Sequence, residues 1–274
     1  MLLRDLYLVT KHSPYLPRVL ASSTPTDAEF RAEHSEMNYI KDERVTVKGL
    51  LREATFGAGW DKSTRPEVFT VGADEHLDEE WFFVNGVTTS KDMAIRNARC
   101  LSTLFQRAIR VVHNPTHGLI PDLAECVFAR TFDMDCAVTK DLHAAVYTAL
   151  VKGKKVKVIG HSQGGIIVSR LLRLLKAVEP IAVPDFFTTL EVYTFGSAAD
   201  EDVRVAGAYQ EHFANTDDFV ARIGMINVQP KSGTLYLRNE IGHLLNRDYL
   251  EHFAGGYFCG KKSKLYRMLG GGHA

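Results

Sequence analysis

From Trp81 onward, short apolar runs alternate with stretches whose apolar residues recur at helical spacing. Trp81-Phe82-Phe83-Val84, Ile109-Arg110-Val111-Val112, Lys155-Val156-Lys157-Val158-Ile159 and Leu190-Glu191-Val192-Tyr193-Thr194-Phe195 are rich in β-branched and aromatic residues and predict strands. Glu211-His212-Phe213-Ala214 and Thr234-Leu235-Tyr236-Leu237 predict two more. Between the first two strands, Ala94, Ala98, Leu101, Leu104 and Phe105 fall on one helical stripe, and Leu142, Val146 and Leu150 mark a second helix. Such alternation, with each strand followed by a helix, demands parallel crossovers. The expected fold class is therefore α/β, a mostly parallel central sheet flanked by helices.

The first 70 residues follow no single period. Ser13-Pro14, Ser22-Ser23-Thr24-Pro25-Thr26 and Arg65-Pro66 punctuate them as turns, Arg44-Val45-Thr46-Val47-Lys48-Gly49 alternates like a strand, and Ala28 to Met37 is polar and helix-tolerant. They read as an N-terminal extension of the main sheet. Residues 1–274 then form one domain, with its core over 81–260.

Composition narrows the classes. The chain has 274 residues, 45% hydrophobic and 24% charged, enough to bury a large core. Its 33 basic and 33 acidic residues cancel, so no patch for nucleic acid or an anionic membrane is expected. Cys100, Cys126, Cys136 and Cys259 form no CxxC pair, which argues against a disulfide framework and a cysteine zinc site. Met1-Leu2-Leu3 is broken at once by Arg4 and Asp5, and nothing approaches the roughly 18 apolar residues of a membrane span. A cytoplasmic protein without a stable membrane anchor is the expectation.

The chemistry concentrates in Gly160-His161-Ser162-Gln163-Gly164-Gly165, a G-x-S-x-G between a predicted strand and the apolar stretch Ile166, Ile167, Val168, Leu171, Leu172, Leu174 and Leu175. A strand turning sharply into a helix there would strain the central serine and expose its side chain. The flanking glycines let the turned backbone pack closely, and the helix dipole favours negative charge developing beside Ser162. No Gly-Lys-Ser/Thr closes the motif, so it is not a P-loop. His113-Asn114-Pro115-Thr116-His117 spaces two histidines four apart, but Pro115 prevents the helix that would aim both at a zinc ion. Neither a metal nor an organic cofactor is expected. His161 is expected to pack locally; Phe128, Phe132, Phe186 and Phe187 could line an acyl pocket or fill the core.

The elbow segment resembles that of lipases and esterases in the α/β-hydrolase superfamily, and the likeness spans about residues 81 to 260. The resemblance implies the chain order nucleophile, acid, base. It makes Ser162 the nucleophile. In Phe213-Ala214-Asn215-Thr216-Asp217-Asp218-Phe219-Val220, which is similar to the segment carrying the acid in such lipases, the register selects Asp218, with Asp217 as its neighbouring rival and Asp200 and Asp202 as weaker candidates. The base is then His243, on a loop after the last strand and before a helix running through Tyr249 to Phe253, rather than His252. The oxyanion donors implied are the Gln163 amide and the amide of Val87 or Thr88, in a loop where Gly86 permits close approach. The implied reaction is hydrolysis of a carboxylic ester through an acyl-enzyme, on a small-molecule ester or acyl substrate. Acyl transfer or cyclisation by the same triad is the alternative, and a silent binding protein a third.

Overall fold

A computed structural model describes residues 2–18, 34, 36, 67–73, 76–86, 89–114, 137–178 and 185–272. In chain order these hold α1 (Leu2–His12), β1 (Glu67–Val71), β2 (Glu79–Val84), α2 (Lys91–Phe105), β3 (Ile109–His113), α3 (Ala137–Val151), β4 (Lys155–His161) and α4 (Gln163–Val178). There follow β5 (Leu190–Phe195), β6 (Tyr209–Asn215), α5 (Phe219–Ile223), α6 (Met225–Val228), β7 (Thr234–Arg238), a π-helical turn (Leu245–Leu250) and α7 (Glu251–Ala254). The seven described strands form one sheet in the order β1-β3-β2-β4-β5-β6-β7. Every neighbouring pair is parallel except β1 with β3. The mostly parallel sheet with flanking helices expected from the sequence is what forms.

Strand alternation divides the core into two layers. Trp81, Phe83, Ile159, Tyr193, Phe195 and Phe213 point to one face, where they meet Ala94, Ala98, Leu101 and Phe105 of α2 and, from the π turn, Leu245 and Tyr249. Phe82, Val84, Val156, Val158 and Val192 point to the other, under Leu142 and Val146 of α3 and Ile167, Val168, Leu171, Leu172 and Leu175 of α4. Phe187 belongs to this second layer and Phe186 packs against it, so these two rings fill the core instead of an acyl pocket. Phe128, Phe132 and His117 lie outside the described residues, as does the strand expected over residues 44–49.

The edge strand β1 was not legible as such. Its side chains are exposed or half-buried throughout, because an edge strand covers little and needs only weak apolar alternation. The helix expected through Tyr249 to Phe253 is instead a π turn running into the short α7.

The amino ends of the strands carry buried charge. Glu79 accepts hydrogen bonds from Trp81 Nε1 (3.0 Å) and Arg107 Nε (3.2 Å) and pairs with Lys157 Nζ (3.2 Å). Burial alone would raise its carboxyl, but these three donors outweigh burial and hold it at about 2. His212, inside β6, bonds Thr194 Oγ1 through Nδ1 (2.8 Å), and burial, against the pull of Asp202, lowers it to about 4. Burial and Arg238 bring His252 to about 4 as well.

These groups set an acid limit on stability. Between an ordinary histidine value of 6.5 and about 4, the unfolded chain takes up protons at His212 and His252 that the folded chain refuses, so stability falls as pH drops through that window. Below 4.5 the unfolded chain also takes up a proton at Glu79 that the folded chain refuses until about 2, which adds a further loss. Each group contributes at most about 1.4 kcal/mol per pH unit. The midpoint of thermal unfolding is therefore expected to fall steadily from pH 6.5 to 4, and His212→Gln to flatten that slope; an unchanged slope in the variant would show that His212 titrates normally.

Candidate active site

The carboxyl ends of the parallel strands converge, where crevices form in open α/β sheets. β4 ends at His161, Ser162 takes φ +57°, and α4 begins at Gln163. A left-handed serine costs about 1–3 kcal/mol. Each of the five apolar side chains that α4 buries in the second layer returns about 1.5–3 kcal/mol, so packing holds the strained residue in place. The elbow is also pinned by hydrogen bonds: Ser162 N–H donates to Phe195 O (3.1 Å), and Ser162 O accepts from Ala198 N (3.0 Å) and Gly165 N (3.0 Å). A Cβ on Gly164 would lie 2.2 Å from Val84 O, so only glycine lets α4 start this close to β2.

Ser162 is 2% exposed, contrary to the open side chain expected from the motif. Tertiary neighbours are the reason. Gly86, two residues after β2, lies against the elbow: a Cβ on it would stand 2.5 Å from Ser162 Cβ and 3.1 Å from its Oγ.

The two adjacent aspartates part company. Asp217 pairs with Arg222 (3.0 Å) in a partly exposed position. Asp218 is fully buried and caps α5, its Oδ1 accepting from Val220 N (2.8 Å), while Oδ2 accepts from His243 Nδ1 (2.6 Å) and from the Tyr249 hydroxyl (2.5 Å). Capping and pairing with the histidine thus coexist on separate oxygens. Asp200 takes Arg4, and Asp202 takes the Lys231 and Ser232 amides.

His243 is held from several sides. Asn215 donates from Nδ2 to the carbonyls of Ile241 (3.3 Å), Gly242 (3.1 Å) and Asp248 (3.2 Å). Gly242 has φ +93°, and a Cβ there would meet the Asp248 carboxylate at 2.5 Å. Asp248 in turn accepts from Leu244 N (2.9 Å) and from Arg247 (2.7 Å). His161 bonds the His243 carbonyl through Nε2 (2.8 Å) and stacks on its ring at 4.8 Å. Burial, followed by the neighbouring His243, pushes His161 well below the usual histidine range, so the stacked partner stays neutral.

With Nδ1 donating to Asp218, the neutral His243 ring keeps its lone pair on Nε2. That atom is buried and has no hydrogen-bond partner among the described residues. The Nε2 to Ser162 Oγ bond anticipated from the sequence is therefore not closed here; such bonds are commonly long until substrate fills the site.

Three amide side chains, whose linking role sequence reading missed, organise the rest. Asn85, fully buried, donates from Nδ2 to Gly86 O (2.9 Å) and Asn114 O (2.9 Å), and its Oδ1 accepts from Asn114 N (2.8 Å). Asn114 Nδ2 reaches Gln163 Oε1 at 2.5 Å. The chain Asn85–Asn114–Gln163 ties the ends of β2, β3 and α4 together and brings Gly86 and Gln163 to Ser162. A polar residue ending the all-apolar run Trp81 to Val84 was the one available signal. Val87 and Thr88 lie outside the described residues. His113 binds Thr89 O through Nε2 (3.2 Å), and no His, Cys, Asp and Glu cluster among the described residues could hold a metal.

Gly86→Ala tests this loop. Its Cβ would press on the Ser162 side chain, 2.5 Å from Cβ and 3.1 Å from Oγ, so loop and nucleophile must move apart, and displacing one oxyanion donor is worth on the order of 10²-fold in turnover. The expected result is a drop of that size in kcat with KM little altered; a folded variant with full kcat would make Asn85-Gly86 only a turn.

No protein-family model matches the chain, and neither does any curated protein. Among solved structures it is similar to a monoacylglycerol lipase from Paleococcus ferrophilus, at 10% identity with 68% of this chain and 93% of that one covered and a TM-score of 0.41. It is similar also to an esterase from Pyrobaculum calidifontis, at 11% identity, 79% and 85% coverage and a TM-score of 0.41. A third is the esterase LipW from Mycobacterium marinum, at 11% identity, 84% and 86% coverage and a TM-score of 0.38. Overlaps this low carry no argument for activity, which rests on the residues themselves.

Proposed function

We propose that this chain is a serine hydrolase of small carboxylic esters, acting through an acyl-enzyme on Ser162. The reading rests on one arrangement: a buried Asp218–His243 pair at 2.6 Å whose unpartnered Nε2 lies at the same strand ends as a left-handed serine.

In this reading His243 Nε2 takes the Ser162 Oγ proton as Oγ attacks the ester carbonyl carbon. Asp218 holds the imidazole in the Nδ1–H tautomer and stabilises the cation that forms. The carbonyl oxygen becomes an oxyanion beside the Gln163 amide and Gly86, at the positive end of α4. As the intermediate collapses the C–O bond to the leaving alcohol breaks, and His243 returns its proton to that alcohol. A water, deprotonated by the same Nε2, then attacks the acyl carbon and releases the acid and Ser162. Neutral His161 against the His243 ring adds no second positive charge to the imidazolium, which a protonated neighbour would oppose.

A fluorophosphonate probe tests the nucleophile. Ser162 is expected to carry the label in peptides read by mass spectrometry. Label on Ser169 or Ser197, both buried close to the elbow, or on no serine, would remove the reading. No described helix is long and apolar enough to cross a membrane.

A further inference from the structure

The fully buried Tyr249 hydroxyl has no role in the steps above, yet it meets the same carboxylate oxygen as His243. Its oxygen accepts from Asn215 N (3.2 Å) and its proton goes to Asp218 Oδ2 (2.5 Å). The ring is clamped by stacking on Phe258 (5.9 Å) and by edge contacts with Phe195 (6.1 Å) and His161 (6.2 Å), so the hydroxyl has one direction to point. The backbone adds to this: Tyr249 stands in the π turn that directly follows the His243 loop, and π turns recur at functional sites.

We propose that Tyr249 is a positioning residue that sets how strongly Asp218 draws a proton onto His243; the proposal rests on the ester-hydrolase reading only for its kinetic consequence. A carboxylate carrying two hydrogen bonds on one oxygen has less charge to offer either donor, and the Asn215 amide on the phenol oxygen polarises the phenol further toward Asp218. Tyr249 thereby tempers the Asp218–His243 pair, leaving Nε2 able both to take a proton and to give it back. The other groups facing His243 are His161 from β4, Asp218 itself before α5, and Asp248 with its partner Arg247 from the π turn; beyond them, buried Glu36 binds the Asn246 and Arg247 amides. None of these touches the Asp218 oxygen that Tyr249 shares with His243.

Tyr249→Phe removes the phenol and keeps the ring. Two readouts decide the matter: the acid limb of the kcat/KM profile against pH with an aryl ester, and the pH at which the His243 ring proton resonance moves half-way, assigned with His243→Gln. Both midpoints are expected to rise by about half a pH unit or more, a threefold or greater change in proton affinity, with kcat lowered several-fold and KM unchanged. A folded Tyr249→Phe with an unmoved resonance midpoint overturns the proposal, even if it is less stable or less active. A midpoint that rises in a protein without esterase activity supports the positioning role and removes the hydrolase reading. Should Tyr249→Phe fail to fold, biosynthetic replacement of tyrosine by 3-fluorotyrosine keeps the test open: the more acidic phenol gives the stronger hydrogen bond, so the midpoint falls, and an unmoved one overturns the proposal.

Discussion

Ser162→Ala is expected to lower aryl-ester turnover by about 10³-fold or more while the fold persists, since the nucleophile is lost and only oxyanion and binding contributions remain. The structural side of the expectation is specific. Ser162 Oγ makes no hydrogen bond among the described residues, whereas the backbone N–H and C=O that anchor the elbow survive the substitution. Alanine at φ +57° keeps the strain and should unfold close to the parent temperature. Glycine relieves it, so Ser162→Gly should be inactive yet more stable than Ser162→Ala by about 1 kcal/mol. Thermal unfolding of the two variants beside their turnover checks this directly, and full turnover in Ser162→Ala would end the proposed mechanism.

The second large effect separates two adjacent carboxylates. Asp218→Asn should lose roughly 10⁴-fold in kcat, because an amide facing His243 Nδ1 favours the tautomer with its proton on Nε2, where Ser162 needs a base. Shape and the Val220 cap are retained, so stability should change far less than rate. Asp217→Asn removes a partly exposed pair with Arg222, worth up to about 1 kcal/mol, and should leave kcat within a few-fold of the parent. A large loss at Asp217 with none at Asp218 would mean that the 2.6 Å pair with His243 is structural. Measuring kcat and unfolding temperature for both variants distinguishes these outcomes.

The sequence by itself determined what local periodicity and local sterics can encode. Lys155 to Ile159 reads as a strand because its branched residues must be buried on both faces of a parallel sheet. Gly160, Ser162 and Gly164 read as an elbow because that spacing suits a strand turning into a helix beside another backbone. The proposed order Ser162, Asp218, His243 came from the resemblance, which supplied both the chain order and the register that chose Asp218. Tertiary structure decided whatever depends on distant segments meeting. It made Asp218 a cap and a histidine partner at once, and it sent Asp217 to Arg222; adjacent carboxylates differ only in direction, which no spacing reveals. It buried Ser162 under Gly86, joined Asn85 and Asn114 to Gln163, and aimed Tyr249 at an aspartate 31 positions earlier in the chain. It also added β1 as an antiparallel edge, where half-exposed side chains leave little pattern to read. Helix and strand periods record which face of an element is apolar; where hydroxyls, amides and carboxylates meet is set by the paths of the loops, and those paths follow only once the two layers have packed on the sheet.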